Sequence, residues 1–167
     1  MKKSQLVFVT LFVLIFSHMV SGQSKYQTYY NARYGFSISY PSNLLAPQKA
    51  EDVSSSGEIF LSKDKDTEMR VWGEFNALEQ TLERRYNENI KDYGGSVTYK
   101  VLLKDGYVIS GVKDDKIFYQ KTLRRKHKVT EVFYTFTIEY KKSDRKKFDP
   151  VIRQIAESFK YDPNADV

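Results

Sequence analysis

Apolar and polar residues alternate along much of this chain, and the alternation predicts a β-rich fold. From Tyr34 to Tyr40 the large apolar side chains fall on every second position, which is the period of a strand with one buried face. Pro41 follows and predicts the end of this strand, because proline cannot donate to a sheet ladder. The polar residues 23–29 before it are expected to form a flexible lead-in.

Six further stretches have the composition or the alternation of strands. Short connections between the last four of them predict an antiparallel meander. Asp105-Gly106 is expected to form one of its hairpin turns, because both residue types tolerate positive φ. The six stretches run over residues 58–61, 69–75, 97–103, 107–112, 117–123 and 132–140.

Two segments have helical spacing instead. Apolar residues recur at intervals of three and four between residues 76 and 93, with Asn76 as the predicted cap and Gly94 after the end. A second helix is expected to start at Asp149-Pro150, with the aspartate as its cap. The polar tail from Asp162 is expected to fray.

Together these elements predict an α+β fold with six or seven mainly antiparallel strands and helices packed on the faces of the sheet. The chain has 13 tyrosines, 11 phenylalanines and one tryptophan, more than one small core needs. Helices on both faces would bury Phe118 and Phe133, which lie opposite the main apolar face. The alternative is that some aromatic side chains form a partner site, since tyrosine and tryptophan are enriched at interfaces.

The first 22 residues have the features of a secretory signal peptide. A basic start, Met1-Lys2-Lys3, precedes an apolar run from Leu6 to Phe16, and cleavage is expected after Gly22. The alternative is a retained membrane anchor, but the run is shorter than the roughly 20 apolar residues that a spanning helix needs. We therefore expect an exported protein, periplasmic or secreted, with no membrane span after processing.

Residues 23–162 are expected to form one domain, followed by a polar tail over 163–167. The chain has no cysteine, which excludes disulfides, thiolate metal sites and a cysteine nucleophile. The leader holds two of the 27 lysine and arginine residues and none of the 21 acidic ones, so its removal lowers the net charge from +6 to +4. This mild positive charge favours acidic surfaces without naming a partner.

Basic residues cluster in two places. The first group is a candidate binding site at a predicted hairpin: Arg124, Arg125, Lys126 and Lys128. The second is the stretch 141–147, at the other end of one predicted strand, so the two groups do not form one patch. Phosphates of a nucleic acid could bind either group, but export argues against a nucleic acid as partner. An anionic membrane surface or polysaccharide fits that compartment better, and a solubilising role fits as well.

Trp72 is a second candidate binding residue. It shares a predicted strand face with Glu68 and Glu74, an arrangement that could bind sugar or place two carboxylates for glycoside hydrolysis. The plainer interpretation is a solvated strand face with Trp72 packed under a loop or helix. Asp64, Asp66 and Glu68 lie at alternate positions and could meet a calcium ion, although a charged hairpin tip explains them better.

Other chemistries lack their residues. His127 is the one histidine after the leader and lies among cationic neighbours. No second histidine or cysteine is present there to complete a nucleophile–base pair or a tetrahedral metal site. Gly94-Gly95 lacks the residues that would make a phosphate loop. We therefore expect no cofactor, no metal and no catalytic residues.

The segment Tyr34-Gly35-Phe36-x-Ile38-x-Tyr40-Pro41 resembles the opening strand of the PsbP-like superfamily. The order of elements from about residue 28 to 160 is also similar, so the resemblance covers most of the chain after the leader. It implies a layered α/β/α sandwich and a binding or assembly role without catalysis. The family offers no motif-matched functional residues, so none are transferred.

The function expected from the sequence is that of an exported, non-catalytic binding or assembly factor, whose partner is a protein or an envelope component. Two alternatives stay open. One is a module that binds carbohydrate or an anionic envelope surface, and the other is a hydrolase that uses carboxylates.

Overall fold

The computed structural model of the protein describes residues 25–48, 55–127 and 130–167. The predicted leader over 1–22 lies outside these ranges. Within them the chain forms ten strands and two α-helices. The strands are β1 Tyr26–Asn31, β2 Phe36–Pro41, β3 Ala46–Pro47, β4 Gly57–Leu61, β5 Glu68–Phe75, β6 Val97–Leu103, β7 Gly106–Lys113, β8 Lys116–Lys126, β9 Glu131–Lys141 and β10 Lys160–Tyr161. The helices are α1 Leu82–Tyr93 and α2 Arg145–Ser158.

Seven strands form the main sheet, in the order β3-β4-β5-β9-β8-β7-β6. Every neighbouring pair is antiparallel. The predicted meander is confirmed by β6 to β9, which pair in sequence order, while β5 inserts beside β9. The α+β class with a seven-stranded antiparallel sheet is therefore confirmed.

A second sheet of three strands, β1-β2-β10, accompanies the main one. The prediction of a flexible lead-in is wrong here, because Tyr26–Asn31 forms β1 and pairs antiparallel with β2 along its whole length. Tyr26 and Tyr29 pack against the core, which gives this polar segment its anchor. β10 pairs with the other edge of β2.

The main core lies between the two sheets and α2. The predicted alternation is confirmed, since Phe36 and Ile38 are fully buried in it. Phe36 and Phe136 both contact Phe159 edge to face, at centroid distances of 6.2 and 5.2 Å. We call the side of the seven-stranded sheet that faces this core the α2 face. Aromatic rings from both sheets and from the end of α2 therefore close this layer together.

The opposite side, which we call the α1 face, carries a smaller core beneath α1. Leu82 of the helix packs there with Phe133, and Tyr93 stacks on Phe118 with ring centroids 4.0 Å apart. The prediction that a helix would cover Phe118 and Phe133 is confirmed. Helices on both faces thus account for much of the aromatic content.

Both predicted helix starts are wrong. α1 begins at Leu82, and its cap is Thr81, whose Oγ1 accepts from the backbone N–H of Arg84 at 3.1 Å. Asn76 instead folds the preceding loop, since its Oδ1 accepts from the N–H of Gln80 at 2.9 Å. The predicted end at Gly94 is confirmed.

The second helix, α2, begins at Arg145 and contains Pro150. Asp149 is therefore not a cap. Its carboxylate accepts from the hydroxyl of Tyr140 at 2.6 Å and from Nε of Arg145 at 2.8 Å. These contacts tie the first turns of the helix to β9.

The tail from Asp162 is packed and not frayed. The N–H of Asp162 donates to the carbonyl of Gly35 at 2.7 Å, and Val167 packs against the main core. Gly35 has φ +59°, and a side chain there would meet Cβ of Ala165 at 2.1 Å. The turn between β1 and β2 therefore needs glycine for both its conformation and the close approach of the tail.

The predicted hairpin is confirmed, but its two turn residues are Lys104 and Asp105, and neither has positive φ. Gly106 lies inside β7, where an added Cβ would come within 2.3 Å of the carbonyl oxygen of Thr122 on β8. It is Asp114, in the next hairpin, that has φ 54°. Glycine at position 106 thus serves the close packing of two strands.

Candidate functional site

The basic group at the end of β8 is divided between the two faces of the sheet. Arg124 and Lys126 lie on the α1 face and Arg125 on the α2 face, because successive strand residues point to opposite sides. Lys128 lies outside the described residues. The four residues predicted as one binding site therefore do not share one surface.

Arg125 is a structural residue in this fold. It is 7% exposed, and its Nη2 donates to the carbonyl oxygens of Pro163 at 2.8 Å and Ala165 at 2.9 Å. Its guanidinium also lies 6.0 Å from the ring centre of Tyr161. These contacts use Arg125 to hold the tail, which leaves little of it for a ligand.

Arg124 lines an open groove of about 700 Å³ between the loop before α1 and the β8–β9 hairpin. Its guanidinium lies 3.3 Å from Asp105 and 3.9 Å from Glu131. Glu79 and Glu83 line the same groove, as does Lys126. Carboxylates there at least balance the cations, so this groove is poorly suited to a polyanion.

The second basic group lies at the opposite end of β9, as the sequence predicts. Lys141 donates to Asp66 at 2.7 Å, and this contact raises the pKa of the exposed lysine. Arg145 contacts Asp149 one helical turn further on. Two of the cations in this group, Lys141 and Arg145, therefore form ion pairs within the protein.

Trp72 is half-buried on the α1 face, beside the area covered by α1. Its Nε1 donates to Glu74 at 3.1 Å, and Glu74 also accepts from Arg85 of α1. On the same strand, Glu68 pairs with Arg70. Each of the two glutamates predicted as a carboxylate pair thus has a cation or an indole as its partner.

The three carboxylates predicted as a possible calcium site have separate partners. Asp64 accepts from the hydroxyl of Ser62 and from the N–H of Asp66. Asp66 accepts from Lys141, and Glu68 pairs with Arg70. Within the described residues no group of three or more side chains is arranged to hold a metal ion.

A buried polar network lies between α1 and the sheet, and sequence reasoning missed it. Gln120 is 4% exposed, and its Nε2 donates to Asn89 of α1 at 3.0 Å. The hydroxyls of Thr122 and Thr135 are 3.0 Å apart below it. Burial raises the pKa of Tyr93, at the edge of the network, to about 12. These residues form hydrogen bonds with one another and hold α1 in position against the sheet.

An exposed apolar area lies at the far end of the main sheet, on its α2 face. α2 and the three-stranded sheet cover the strands nearer the centre, and the area beyond them remains open. In β6, Tyr99 is 56% and Leu103 48% exposed, and in β7 Val112 is 37% exposed. We call this area the β6–β7 apolar surface; it consists of Tyr99, Val101, Leu103 and Val112. Val108, opposite Val101, is only 8% exposed.

The strand register places these side chains together. Val101 lies directly opposite Val108, and Tyr99 opposite Ser110. Tyr107 and Ile109, on either side of Val108 along β7, point to the other face and pack under α1. The next strand continues the apolar area with Tyr119, which packs against the main core. The surface is thus an uncovered extension of the core layer.

Sequence reasoning did not single out this surface, although one signal was present. The alternation in β6 breaks at its end, where Leu102 and Leu103 are consecutive and both exposed, Leu102 by 38%. The charged side chains of β6 and β7 are Lys100 and Lys113, both cationic. Apolar residues exposed together on neighbouring positions of a strand are typical of a contact site.

Comparison with known proteins supports the fold. No family model matches the chain, and no curated protein matches its sequence. Cyanobacterial PsbP (CyanoP) from Synechocystis sp. PCC 6803 is similar in structure, with a TM-score of 0.56, 13% identity, and coverage of 89% of this chain and 99% of that one. The Ran-binding protein Mog1p of Saccharomyces cerevisiae has a TM-score of 0.51, 6% identity, and coverage of 83% and 96%.

A third solved structure, from Bacteroides thetaiotaomicron VPI-5482, has a TM-score of 0.51 and 8% identity. The alignment covers 84% of this chain and 50% of that protein. These likenesses show that the chain has the PsbP-like fold that its opening strand predicts. In the part of the chain that the structure describes, neither helix has the length and apolar character needed to cross a membrane.

Proposed function

We propose that this protein with a PsbP-like fold is an exported, non-catalytic binding factor that docks a protein partner on the β6–β7 apolar surface. The observation that carries the proposal is the exposure of Tyr99, Leu103 and Val112 on one uncovered sheet face. Contiguous apolar area on a small domain marks an interaction site more often than isolated apolar residues do. Export rests on the leader over residues 1–22.

The chemistry of the surface favours a protein over other ligands. It combines an aromatic side chain with aliphatic ones, which is the composition of a protein interface core. It is broad and shallow, unlike a site for a small molecule. One solved protein of this fold is named as a Ran-binding protein, so a protein partner is compatible with the fold.

The arrangement of the acidic residues supports a role without catalysis. Catalytic carboxylate pairs need one free nucleophile or base beside a protonated acid. Glu74 is instead held by Trp72 and Arg85, and Glu68 pairs with Arg70. The alternative of binding an anionic surface is less well supported, because Arg125 holds the tail and Arg124 lies beside two acids.

Site-specific photo-crosslinking in the native cells tests the proposal. A photoreactive amino acid replaces Tyr99 in one variant and Tyr30 in another. Both tyrosines are 56% exposed, but Tyr30 lies on β1 of the three-stranded sheet, outside the proposed surface, and is therefore a matched control. We expect one dominant crosslinked protein from position 99 that is absent from position 30 and is lost when Leu103→Ser is added.

Equal crosslinking from both positions, or none from position 99, would contradict the proposed surface. The mass of the protein recovered from the same cells tests export separately. A mature chain that begins at Gln23 supports the leader, and a protein that retains Met1–Gly22 argues against its cleavage.

A further inference from the structure

We infer that the partner attaches by strand addition: an extended segment of alternating apolar and acidic residues pairs with the free edge of β6 as an eighth strand. This inference rests on the proposed function, since it says how the partner would engage the β6–β7 apolar surface. It adds a backbone contact along the edge of the sheet to the side-chain contact on its face.

The position of β6 supplies the first argument. β6 is the last strand of the main sheet and has seven residues, Val97–Leu103. The edge strand at the other end, β3, has only two residues and includes Pro47, which has no N–H to donate. Short edge strands and proline prevent pairing with other chains, and β6 has neither feature. Its edge protections are the single charge of Lys100 and a register shift between Val97 and Tyr99, so the stretch open to pairing runs from Tyr99 to Leu103.

The register identifies which backbone groups of β6 face outward. Leu103 and Gly106 flank a two-residue turn, and in such a hairpin they form a hydrogen-bonded pair. Hydrogen-bonded and non-hydrogen-bonded pairs alternate along an antiparallel ladder. Val101 therefore bonds to β7, whereas the N–H and C=O groups of Lys100 and Leu102 point to the free edge.

The side chains define the chemistry of the added strand. On the α2 face it would lie beside Tyr99, Val101 and Leu103, which favour apolar residues at alternate positions. On the α1 face it would lie beside Lys100 and Leu102, which are both exposed, and Lys104 follows at the turn. Acidic residues at the intervening positions would complement these lysines.

A second copy of the same chain fits this edge less well. Antiparallel pairing of two β6 strands centred on Lys100 would set this lysine opposite itself, and pairing centred on Leu102 would set Lys100 opposite Lys104. Like charges across a strand pair are destabilising. The charge pattern therefore favours an acidic partner segment over a dimer.

Synthetic peptides test the inference on the unmodified mature protein. The probe is a nine-residue peptide of alternating valine and glutamate with blocked ends, labelled for fluorescence anisotropy. Its controls are the same peptide with lysine in place of glutamate, and the glutamate peptide N-methylated at every second residue. We expect the lysine peptide and the N-methylated peptide each to bind at least about tenfold more weakly, because they lose charge complementarity and edge hydrogen bonds respectively.

Two variants test the same edge from the protein side. Leu102→Pro removes an outward N–H and leaves the ladder to β7 intact, while Leu102→Ser removes the same side chain and keeps the N–H. Strand addition predicts that only Leu102→Pro loses most of the peptide affinity. Circular dichroism and the thermal midpoint check that both variants fold. If Leu102→Pro does not fold, the comparison of the three peptides on the unmodified protein still tests the inference.

The outcomes separate this inference from the proposed function. If position 99 crosslinks one partner but no peptide binds, or N-methylation changes nothing, strand addition is wrong and the docking surface remains. If both peptide charges bind equally, the acidic partner is wrong. If sedimentation shows a dimer that Leu102→Pro dissociates, the occupant is a second copy, and the inferred partner segment is overturned.

Discussion

Nη2 of Arg125 donates to the carbonyl oxygen of Ala165 at 2.9 Å, although the two residues are 40 positions apart in the chain. The same nitrogen donates to Pro163 at 2.8 Å. One buried side chain on β8 thereby fixes the last described residues against the main core. The sequence suggests that Arg125 belongs to a binding patch, but in the structure it stabilises the C-terminal tail.

Replacing this side chain should loosen the tail. Arg125→Met keeps much of the buried volume but removes both hydrogen bonds to the tail. We expect the free energy of unfolding to fall by about 2 kcal/mol, since hydrogen bonds to a charged group contribute more than neutral ones. Urea denaturation followed by circular dichroism measures the change. The neighbouring Lys126→Met, at an exposed position, should stay within about 0.5 kcal/mol, and an equal loss in both variants would contradict this role.

Gly35 should tolerate no side chain while the tail is docked. Gly35→Ala forces a non-glycine residue to φ +59° and places its Cβ 2.1 Å from Cβ of Ala165. We expect a loss of more than about 2 kcal/mol in the free energy of unfolding, because strain and steric overlap add. Thermal denaturation measures the change.

Two glycines after α1 separate these causes. Gly94 also has φ +59°, with ψ −144° and nothing within 4 Å of an added Cβ, so Gly94→Ala reports backbone strain alone, about 1–3 kcal/mol. Gly95 has neither feature, so Gly95→Ala should change little. Adding Ala165→Gly to Gly35→Ala should recover the steric part. If it recovers nothing, the tail does not press on Gly35.

The hydroxyl pair beneath α1 should be energetically coupled. Thr122 and Thr135 are at most 1% exposed, and their hydroxyls lie 3.0 Å apart. Thr122→Val leaves the hydroxyl of Thr135 without this partner, while Thr135→Val leaves Thr122 only the Nε2 of Gln120, at 3.3 Å. Each single change should cost about 1–2 kcal/mol, and the double change should cost less than the sum by at least about 0.5 kcal/mol. A double-mutant cycle in urea measures the coupling. Thr137→Val, at a half-buried position on the same strand, is the control, and strict additivity would refute the pair.

Alkaline pH should destabilise the protein. Burial raises the pKa of Tyr93 and Tyr119 to about 12. Between pH 10 and 12 the unfolded chain loses these phenol protons and the folded chain keeps them. The folded state then binds more protons, so the free energy of unfolding falls as pH rises.

Burial lowers the pKa of Lys121, so the folded chain loses this proton at a lower pH than the unfolded chain does. This makes the free energy of unfolding rise with pH, but only up to about the ordinary lysine pKa of 10.5. Thermal midpoints at pH values from about 9 to 12 measure the net change, and absorbance at 295 nm follows phenol ionisation directly. Tyr119→Phe should flatten the decline. A profile that Tyr119→Phe leaves unchanged would place the sensitive groups elsewhere.

The strands of the meander were predictable because their signals are local. Alternation and short turns define β6 to β9 within a few residues of one another in sequence. β1 could not be found this way, because its burial does not alternate and its place is decided by pairing with β2. The start of α1 was misplaced for a related reason: Asn76 does make a capping-type bond, but to a loop residue, Gln80.

Little of the candidate site could be predicted from residue type. Arg124 and Arg125 read as one cluster, but strand geometry sends them to opposite faces, and their partners lie far away in sequence. The solvent exposure of Tyr99 depends on how much of the main sheet α2 and the three-stranded sheet cover. Only the tertiary packing fixes that limit.

The three-stranded sheet joins β2, near the start of the described chain, with β10, formed by Lys160–Tyr161. No partial chain that lacks the last few residues can complete it. These closing contacts between β2 and β10 join residues far apart in sequence, so the sheet depends on the segment around Lys160–Tyr161. Truncations at the C-terminus should accordingly be read as folding defects before they are read as losses of binding.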